Sequence, residues 1–550
     1  MESIKRISQL TASPARTKRS TSLLLLWRII SVGAVIHLIV FDLLILNAPE
    51  SLQVQFAPDD GYYYLTLARN FVRFSQWTFD GGISVTSGFH LAYAYILAGF
   101  YKFLQPTQAV FVQLGMGFGI FITVIVVCIA WWVCIQKNDS LFLIVFTILV
   151  TAKPFLFNSV SMTEWPLVIL VAGLYCLYFY RRETAVRGHW GLFTLGLLGS
   201  LVRSDFGLLP FGLLISALLL ERDSQKKPLT GEAFAGVLGA ILGVAIVFVH
   251  TFATTGAWFQ SSALMKGYWA SFVHQKLYNT IALILKVIGL DLSLMDFDRS
   301  TLLLGVLLIS GPLILIFLAK RHGQNQLSIS GIKPPVDRPL RERALVFGAA
   351  ISLAGYSIFY AHNGAIQHWY TGNLTWPLFI LLTAGARYID RRILKEHQFT
   401  AIWLSVFLLT SLGLQIPSLY PLSAQTAPWP HQQVMLQASR YLSQYPLDGY
   451  IGSWNSGVAG YYSEGTDIIN IDGLVNNDIY PYAITNTLPT YLRAKEIHYI
   501  LDFENMFHPP FPRRGGYEDR MFLAQLEPLK TFDQGQFAEF KYLRLYRIKQ

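Results

Sequence analysis

Two adjacent aspartates, Asp59 and Asp60, are the side chains in this sequence best suited to acid–base chemistry. After them, Tyr64, Leu65 and Ala68 recur at helical spacing, so we predict that the pair begins a helix. One carboxylate there could cap the helix or interact with the positive end of its dipole. Capping one helix requires only one carboxylate. The other could therefore deprotonate an attacking hydroxyl group.

Further acidic and polar candidates lie in two later segments. Glu164 precedes an apolar run, where it could cap a helix or position an acceptor or a metal ion. His368 and Tyr370 could line a sugar site. The one candidate cofactor is a divalent cation, Mg²⁺ or Mn²⁺, and no residue is assigned as its ligand.

The cationic candidates are Arg203, Lys266 and His90. Arg203 lies between two short apolar runs, where an ionisable residue is costly unless it is paired or faces a cavity. It could pair with Asp205, or both could bind substrate, with Arg203 on a phosphate. Lys266 could extend along the membrane surface or neutralise a leaving phosphate. His90 could contact a phosphate or be an ordinary hydrogen-bonded surface histidine.

The composition indicates a membrane protein. Of the 550 residues, 53% are hydrophobic and 14% are charged, whereas soluble domains average roughly 25% charged residues. A bilayer span needs about 20 apolar residues, although tilt and flanking anchors permit fewer. About eleven runs meet this need or approach it, namely Leu23–Leu46, Ala109–Ile135, Leu141–Phe157, Trp165–Tyr180, Trp190–Val202, Phe206–Leu220, Ala233–Phe252, Leu302–Leu318, Ala344–Tyr360, Leu374–Ala386 and Phe399–Ile416.

The net charge of +10 follows membrane topology, since the basic residues cluster in alternate loops between the apolar runs. It is no evidence for a nucleic-acid partner. The positive-inside bias predicts a multi-pass protein of the plasma membrane with a cytoplasmic N-terminus and an outer C-terminal part. This assignment holds if the segment Gly88–Leu104 does not cross the bilayer, so we predict a juxtamembrane helix there.

We predict three parts of the chain. Residues 1–22 form a cytoplasmic tail, residues 23–416 a membrane-embedded catalytic domain with outer loops at 47–108 and 254–301, and residues 417–550 a small extracytoplasmic α/β domain. Within this last domain the pattern predicts a helix near Gln433–Gln444 and strands at Tyr450–Ser453, Asp467–Ile471, His498–Asp502 and Phe540–Arg547. Gly323–Pro339, rich in Ser, Gly and Pro, is predicted to be a loop.

Several motifs resemble those of the GT-C superfamily of bacterial membrane glycosyltransferases, which includes protein O-mannosyltransferases, aminoarabinose transferases and arabinofuranosyltransferases. They are Asp59–Tyr64, Ala68–Asn70, Thr78–Gly81, Thr86–His90, Met162–Glu164, Arg203–Asp205, Gln260–Ser262 with Lys266, His368–Tyr370, Gly457–Tyr462 and Asp472–Val475. The resemblance implies that Asp59 is the catalytic base. Asp60 would support it through donor or metal contacts, and Glu164 would be the second acidic site residue.

The expected activity is an inverting sugar transfer from a polyprenyl-phosphate carrier to an acceptor hydroxyl on the outer face of the membrane. The acceptor could be a glycan, a lipid or a protein. A transporter or flippase of lipid-linked saccharides and a non-enzymatic membrane scaffold are the alternatives. A transporter needs polar residues near the bilayer midplane, whereas the candidates here gather at the outer face.

Overall fold

The protein is a helical membrane protein with a small C-terminal α/β domain. The computed structural model describes residues 14–181, 188–222, 228–272, 276–290, 340–361, 367–390, 399–463, 465–507, 514–533, 540 and 542–549. The predicted run Leu302–Leu318, the predicted loop Gly323–Pro339 and residues 1–13 of the predicted tail lie outside these ranges.

Five helices of the described residues are long and apolar enough to cross a membrane, and each coincides with a predicted run. They span Pro14–Leu46, Gln108–Lys137, Pro228–Thr255, Leu340–Ala361 and Phe399–Leu419. A sixth run forms the helices Ser140–Thr151 and Lys153–Ser159, which meet at an angle of 60°. Pro154 lies at the start of the second helix, where proline is tolerated but cannot continue the preceding one.

The other predicted runs in the described residues form shorter helices, Trp165–Arg181, Gly188–Val202, Leu208–Leu220 and Thr371–Tyr388. Two of these helices, Gly188–Val202 and Leu208–Leu220, lie on either side of Arg203. A short 3₁₀ turn at Ser204–Gly207 separates them. These four helices pack among the longer ones and complete the membrane-embedded bundle.

Outside the long helices lie short elements of the two outer loops, Glu50–Gln53, Asp59–Phe74, Leu91–Leu104, Ser261–Ala270 and Lys276–Val287. The Leu91–Leu104 helix has 14 residues, or about 21 Å at 1.5 Å per residue, against a hydrocarbon core of about 30 Å. It packs on Asp59–Phe74, with Tyr93 edge-on to Tyr64 and Tyr95 edge-on to Phe71. The assignment of this segment as a juxtamembrane helix stays a prediction.

The C-terminal domain is built on a five-stranded mixed sheet. Its strands are β1 (Tyr450–Ser453), β2 (Ile468–Asn470), β3 (Ile497–Phe503), β4 (Leu526–Asp533) and β5 (Tyr542–Ile548), in the order β2-β1-β3-β5-β4. β1 is parallel to β2 and β3, and β5 is antiparallel to β3 and β4. The helices of this domain are Gln432–Gln444, Gly457–Tyr462, Ile479–Ile484, Leu488–Ala494 and Arg520–Leu523. The predicted α/β class is confirmed.

The C-terminal domain lies directly on the first outer loop. The backbone N–H of Trp429 donates to the carbonyl of Gln55 at 3.0 Å, and that of Asn477 donates to Val85 at 3.2 Å. Arg69 donates to the carbonyls of Tyr461 and Gly460. These contacts fix the domain over one end of the membrane helices, where the candidate residues lie.

Candidate active site

A cavity at the helix ends next to the C-terminal domain collects residues from six separate parts of the chain. The Asp59–Phe74 helix supplies one wall, and the segment 88–90 and the Ser261–Ala270 helix supply others. Its lining residues are Asp60, Tyr63, Tyr64, Leu67, Gly88, Phe89, His90, Glu164, Ser262, Lys266, Trp369 and Leu474. The cavity therefore contains four ionisable residues that the sequence identifies as candidates, Asp60, Glu164, Lys266 and His90.

The two aspartates point in different directions. Neither caps the helix with its side chain, because Pro58 occupies the N-cap position and both acids lie in the first turn. Asp60 lines the cavity, whereas the Asp59 carboxylate accepts hydrogen bonds from the backbone N–H of Val458 at 3.4 Å and from the side chain of Gln432. Adjacent helical residues differ by about 100° around the axis. Asp59 therefore faces the C-terminal domain, although the sequence predicts it as the base.

The two carboxyl groups are both harder to ionise than an ordinary aspartate. Burial raises the pKa of Asp59 to about 7. Burial also raises the pKa of Asp60, and the nearby Glu164 adds to the effect, while the charges of Lys266 and Arg203 oppose it. Each carboxylate can thus accept a proton more readily than a solvent-exposed one.

Glu164 joins the outer loops to the membrane helices. Its carboxylate accepts from Arg203 Nη1 at 2.6 Å and from the Tyr64 hydroxyl at 3.1 Å, and it lies 3.5 Å from His90 Nε2. The Tyr64 hydroxyl in turn accepts the backbone N–H of His90 at 3.3 Å. Glu164 is almost fully buried, so these partners supply the hydrogen bonds that solvent does not.

Arg203 is held between two carboxylates. Its Nε donates to both oxygens of Asp205 at 2.9 and 3.2 Å, and the Tyr360 hydroxyl and Asn373 amide also donate to Asp205. Asp205 therefore has four bonds within the protein and does not line the cavity, although the sequence predicts it as a substrate ligand. Arg203 lies behind the cavity wall, where the sequence predicts a phosphate ligand.

The ring of Tyr370 contacts both Arg203 and Lys266. Its ring centroid lies 4.6 Å from Arg203 Cζ and 5.3 Å from Lys266 Nζ, and it stacks on Tyr360 with an interplanar angle of 10°. A ring in this position is attracted to both positive charges. Lys266 reaches the cavity, and its attraction to Tyr370 and Asp60 outweighs burial, so its pKa is raised and it stays protonated.

His368 lies apart from this cluster. Its ring is edge-on to Trp429 at 5.8 Å, and its carbonyl accepts from Asn158 at 3.2 Å. Its neighbour Trp369 lines the cavity instead.

Burial lowers the pKa of His90 to about 4, so His90 is a neutral hydrogen-bonding group near pH 7.

Four further lining residues, Tyr63, Tyr64, Trp369 and Leu474, are not among the candidates that the sequence predicts. Tyr63 and Tyr64 follow Asp60 by three and four residues, which places them on the same helix face, so helical spacing alone could have found them. Leu474 arrives from the C-terminal domain. A Cβ on Gly88 would lie 1.6 Å from the Leu474 carbonyl oxygen, so only glycine permits this approach.

The described residues contain no group of three or more His, Cys, Asp or Glu side chains arranged to hold a metal ion. Asp60 and Glu164 both line the cavity, but each faces protein cations: Lys266 for Asp60, and Arg203 for Glu164. The cavity therefore contains a carboxylate that can take up a proton and a lysine that can neutralise an anion.

Comparison with known proteins supports the fold. No protein-family model and no curated protein matches the chain. Among solved structures, the chain is similar to the crystal structure of ArnT from Cupriavidus metallidurans bound to undecaprenyl phosphate, with a TM-score of 0.51 and 10% sequence identity over 94% of this chain and 98% of that chain. ArnT is an aminoarabinose transferase of the GT-C family. The likeness confirms the expected fold, and this chain has the fold of that structure.

Proposed function

We propose that the protein transfers a sugar, with inversion, from a polyprenyl-phosphate carrier to an acceptor hydroxyl on the outer face of the plasma membrane. One observation carries the proposal. Asp60 and Lys266 line the same cavity and their charges interact, and the chain has the fold of a protein whose structure contains undecaprenyl phosphate. A proton acceptor and a cation for the leaving group are the two groups this transfer requires.

In the proposed reaction the acceptor hydroxyl gives its proton to the Asp60 carboxylate. Its oxygen attacks the anomeric carbon, the bond from that carbon to the phosphate oxygen breaks, and the carrier phosphate leaves with the electron pair. Lys266 neutralises the charge that grows on this phosphate. His90, neutral and on the cavity wall, can donate a hydrogen bond to it.

The roles of the remaining candidates follow from their contacts. Arg203 holds Glu164 and the ring of Tyr370, so we assign it to positioning the cavity wall and Lys266. Asp59 binds the C-terminal domain and positions the first turn that carries Asp60. The acceptor class, whether glycan, lipid or protein, stays open.

Paired asparagine variants test the assignment. With the purified protein, polyprenyl-phosphate sugars as donors and released carrier phosphate as the readout, Asp60→Asn should slow transfer about 100- to 10,000-fold, the usual value of a general base. Asp59→Asn should retain most of the activity. Both variants should melt near the wild-type temperature.

If Asp59→Asn abolished transfer while Asp60→Asn retained it, the base would be Asp59, as the sequence predicts, and the cavity-based assignment would be wrong. If no donor in a panel of polyprenyl-phosphate sugars released carrier phosphate, the transferase proposal itself would fail. A lipid-linked saccharide transporter would instead move its substrate across vesicles without releasing phosphate.

A further inference from the structure

A second cleft lies at the opposite ends of two helices that carry the candidate active site. Glu164 precedes Trp165–Arg181 and Trp369 precedes Thr371–Tyr388 at the site, whereas the cleft is bordered by Tyr180 and Arg387 at the other ends of these helices. A helix of this length spans about 25 Å. The cleft therefore belongs to the other face of the protein, which the positive-inside bias predicts to be the cytoplasmic one.

The cleft is narrow, with about 1000 Å³ of empty space including its open side. Its walls are almost entirely apolar and come from five helices, Gln108–Lys137, Ser140–Thr151, Trp165–Arg181, Leu340–Ala361 and Thr371–Tyr388. Apolar cavities do not hold ordered water. In a bilayer, hydrocarbon chains are the available occupants of such a space.

The polar groups of the cleft gather at one end, at Lys137, Tyr180, Glu342 and Arg387. Arg387 pairs with Asp139 at 2.7 Å and with Glu342 at 3.6 Å. Lys137 lies over the ring of Tyr180, at 4.1 Å, and contacts its hydroxyl. No carboxylate of the described residues pairs with Lys137, so within this part of the chain its positive charge is not neutralised by an ion pair.

We propose that this cleft binds an anionic phospholipid of the inner leaflet, with one acyl chain between the helices and the phosphate beside Lys137. The charge of the head group complements the lysine, and the apolar walls complement the chain. Basic pockets between membrane helices on the cytoplasmic side commonly bind phospholipid head groups. The site does not depend on the proposed sugar transfer, which concerns the outer face.

The test counts the lipids that the purified protein binds, by native mass spectrometry in mixed micelles with equal amounts of phosphatidylglycerol and phosphatidylethanolamine. The wild type should bind one phosphatidylglycerol preferentially. Ala384→Trp, which fills the cleft, should lose it. Ala245→Trp, on the exposed surface of the Pro228–Thr255 helix, is the matched control and should retain it.

A second variant keeps the test independent of how Ala384→Trp folds. Lys137→Gln should lower the preference for phosphatidylglycerol over phosphatidylethanolamine about fivefold, as expected for one lysine at the membrane surface. Lys102→Gln, on the outer Leu91–Leu104 helix, should leave it unchanged. The proposal fails if the wild type shows no preference, or if Ala384→Trp binds as much lipid as Ala245→Trp. Displacement by an equal amount of undecaprenyl phosphate would make a carrier lipid the occupant and would also overturn it.

Discussion

The hydroxyl of Tyr63 donates a 2.9 Å hydrogen bond to the carboxylate of Asp472, and both side chains are buried. Tyr63 lines the cavity on the Asp59–Phe74 helix, whereas Asp472 belongs to the C-terminal domain. The same carboxylate accepts the backbone N–H of Leu474 at 2.7 Å, and Leu474 also lines the cavity. The C-terminal domain therefore forms part of the wall of the candidate site.

Removing this bond should weaken transfer without abolishing it. In Tyr63→Phe the buried carboxylate of Asp472 keeps its bond to Leu474 but loses one of its donors. An ordinary hydrogen bond contributes about 0.5–1.5 kcal/mol, so we expect the transfer rate to fall about two- to tenfold. Tyr95→Phe, which loses only the exposed contact with His250, is the control. Equal activities in both variants would show that the domain contact does not shape the site.

Lys266 should act on the chemical step. Lys266→Gln removes the cation beside the proposed leaving phosphate, and we expect a fall of about 100- to 1000-fold in kcat, the usual effect of losing one group that stabilises developing charge. Lys266→Arg should retain part of the activity. Lys102→Gln, an exposed lysine of the outer Leu91–Leu104 helix, is the control. If Lys266 only extends along the membrane surface, Lys266→Gln will transfer sugar at the control rate.

Chelation should have little effect on transfer. In the proposed mechanism Lys266 neutralises the leaving phosphate, and Asp60 and Glu164 already face protein cations. We therefore expect the purified protein to keep its activity after dialysis against EDTA. A loss of activity that Mg²⁺ or Mn²⁺ restores would show that a divalent cation acts in the site.

Arg203 should contribute more to stability than Glu164. Arg203→Gln leaves two buried carboxylates, Glu164 and Asp205, without their cation, and such losses cost about 3–5 kcal/mol. Glu164→Gln leaves Arg203 paired with Asp205 and should lower the melting temperature less. Glu50→Gln, at the exposed pair with Arg440, is the control and should cost about 1 kcal/mol or less. A larger effect of Glu164→Gln would contradict this order.

The length of each apolar run determined how well the sequence predicted the corresponding helix. Within the described residues, apolar runs of 17 or more residues, such as Ala109–Ile135, correspond to helices long enough to span or, for Leu141–Phe157, to a bent helix pair. Shorter runs, such as Trp190–Val202, form helices whose depth depends on their neighbours. The strand Tyr450–Ser453 was predicted correctly, whereas β4 was missed. β4 lies at the sheet edge, is largely exposed and contains Pro528, so it lacks the alternation of a half-buried strand.

The sequence predicted which residues belong to the candidate site but not which of their side chains face the cavity. The acidic pair, Glu164 and Lys266 were all identified from charge in unusual surroundings. Which aspartate faces the cavity depends on the position of the Ser261–Ala270 helix and of Val458, both distant in the chain. Local pattern holds no information about such contacts. The engagement of Arg203 by Asp205, Tyr360 and Asn373 depends in the same way on helices that meet only in the fold.

The pH dependence of transfer should identify the base. A base works in its ionised form, so activity should fall as the pH falls through its pKa, and burial raises the pKa of Asp60 above the usual aspartate range. Lys266 opposes this rise. In the residual activity of Lys266→Gln, the acid limb of the kcat/KM profile should therefore move to higher pH, while Lys102→Gln should leave it in place.

The same profile separates the two aspartates. Asp59→Asn should keep the acid limb, because Asp60 is still present to titrate. If the limb instead lies near pH 7 in the wild type and disappears in Asp59→Asn, the titrating group is Asp59, whose buried carboxyl has a pKa of about 7. That result would move proton transfer from the cavity to the contact between the first outer helix and the C-terminal domain.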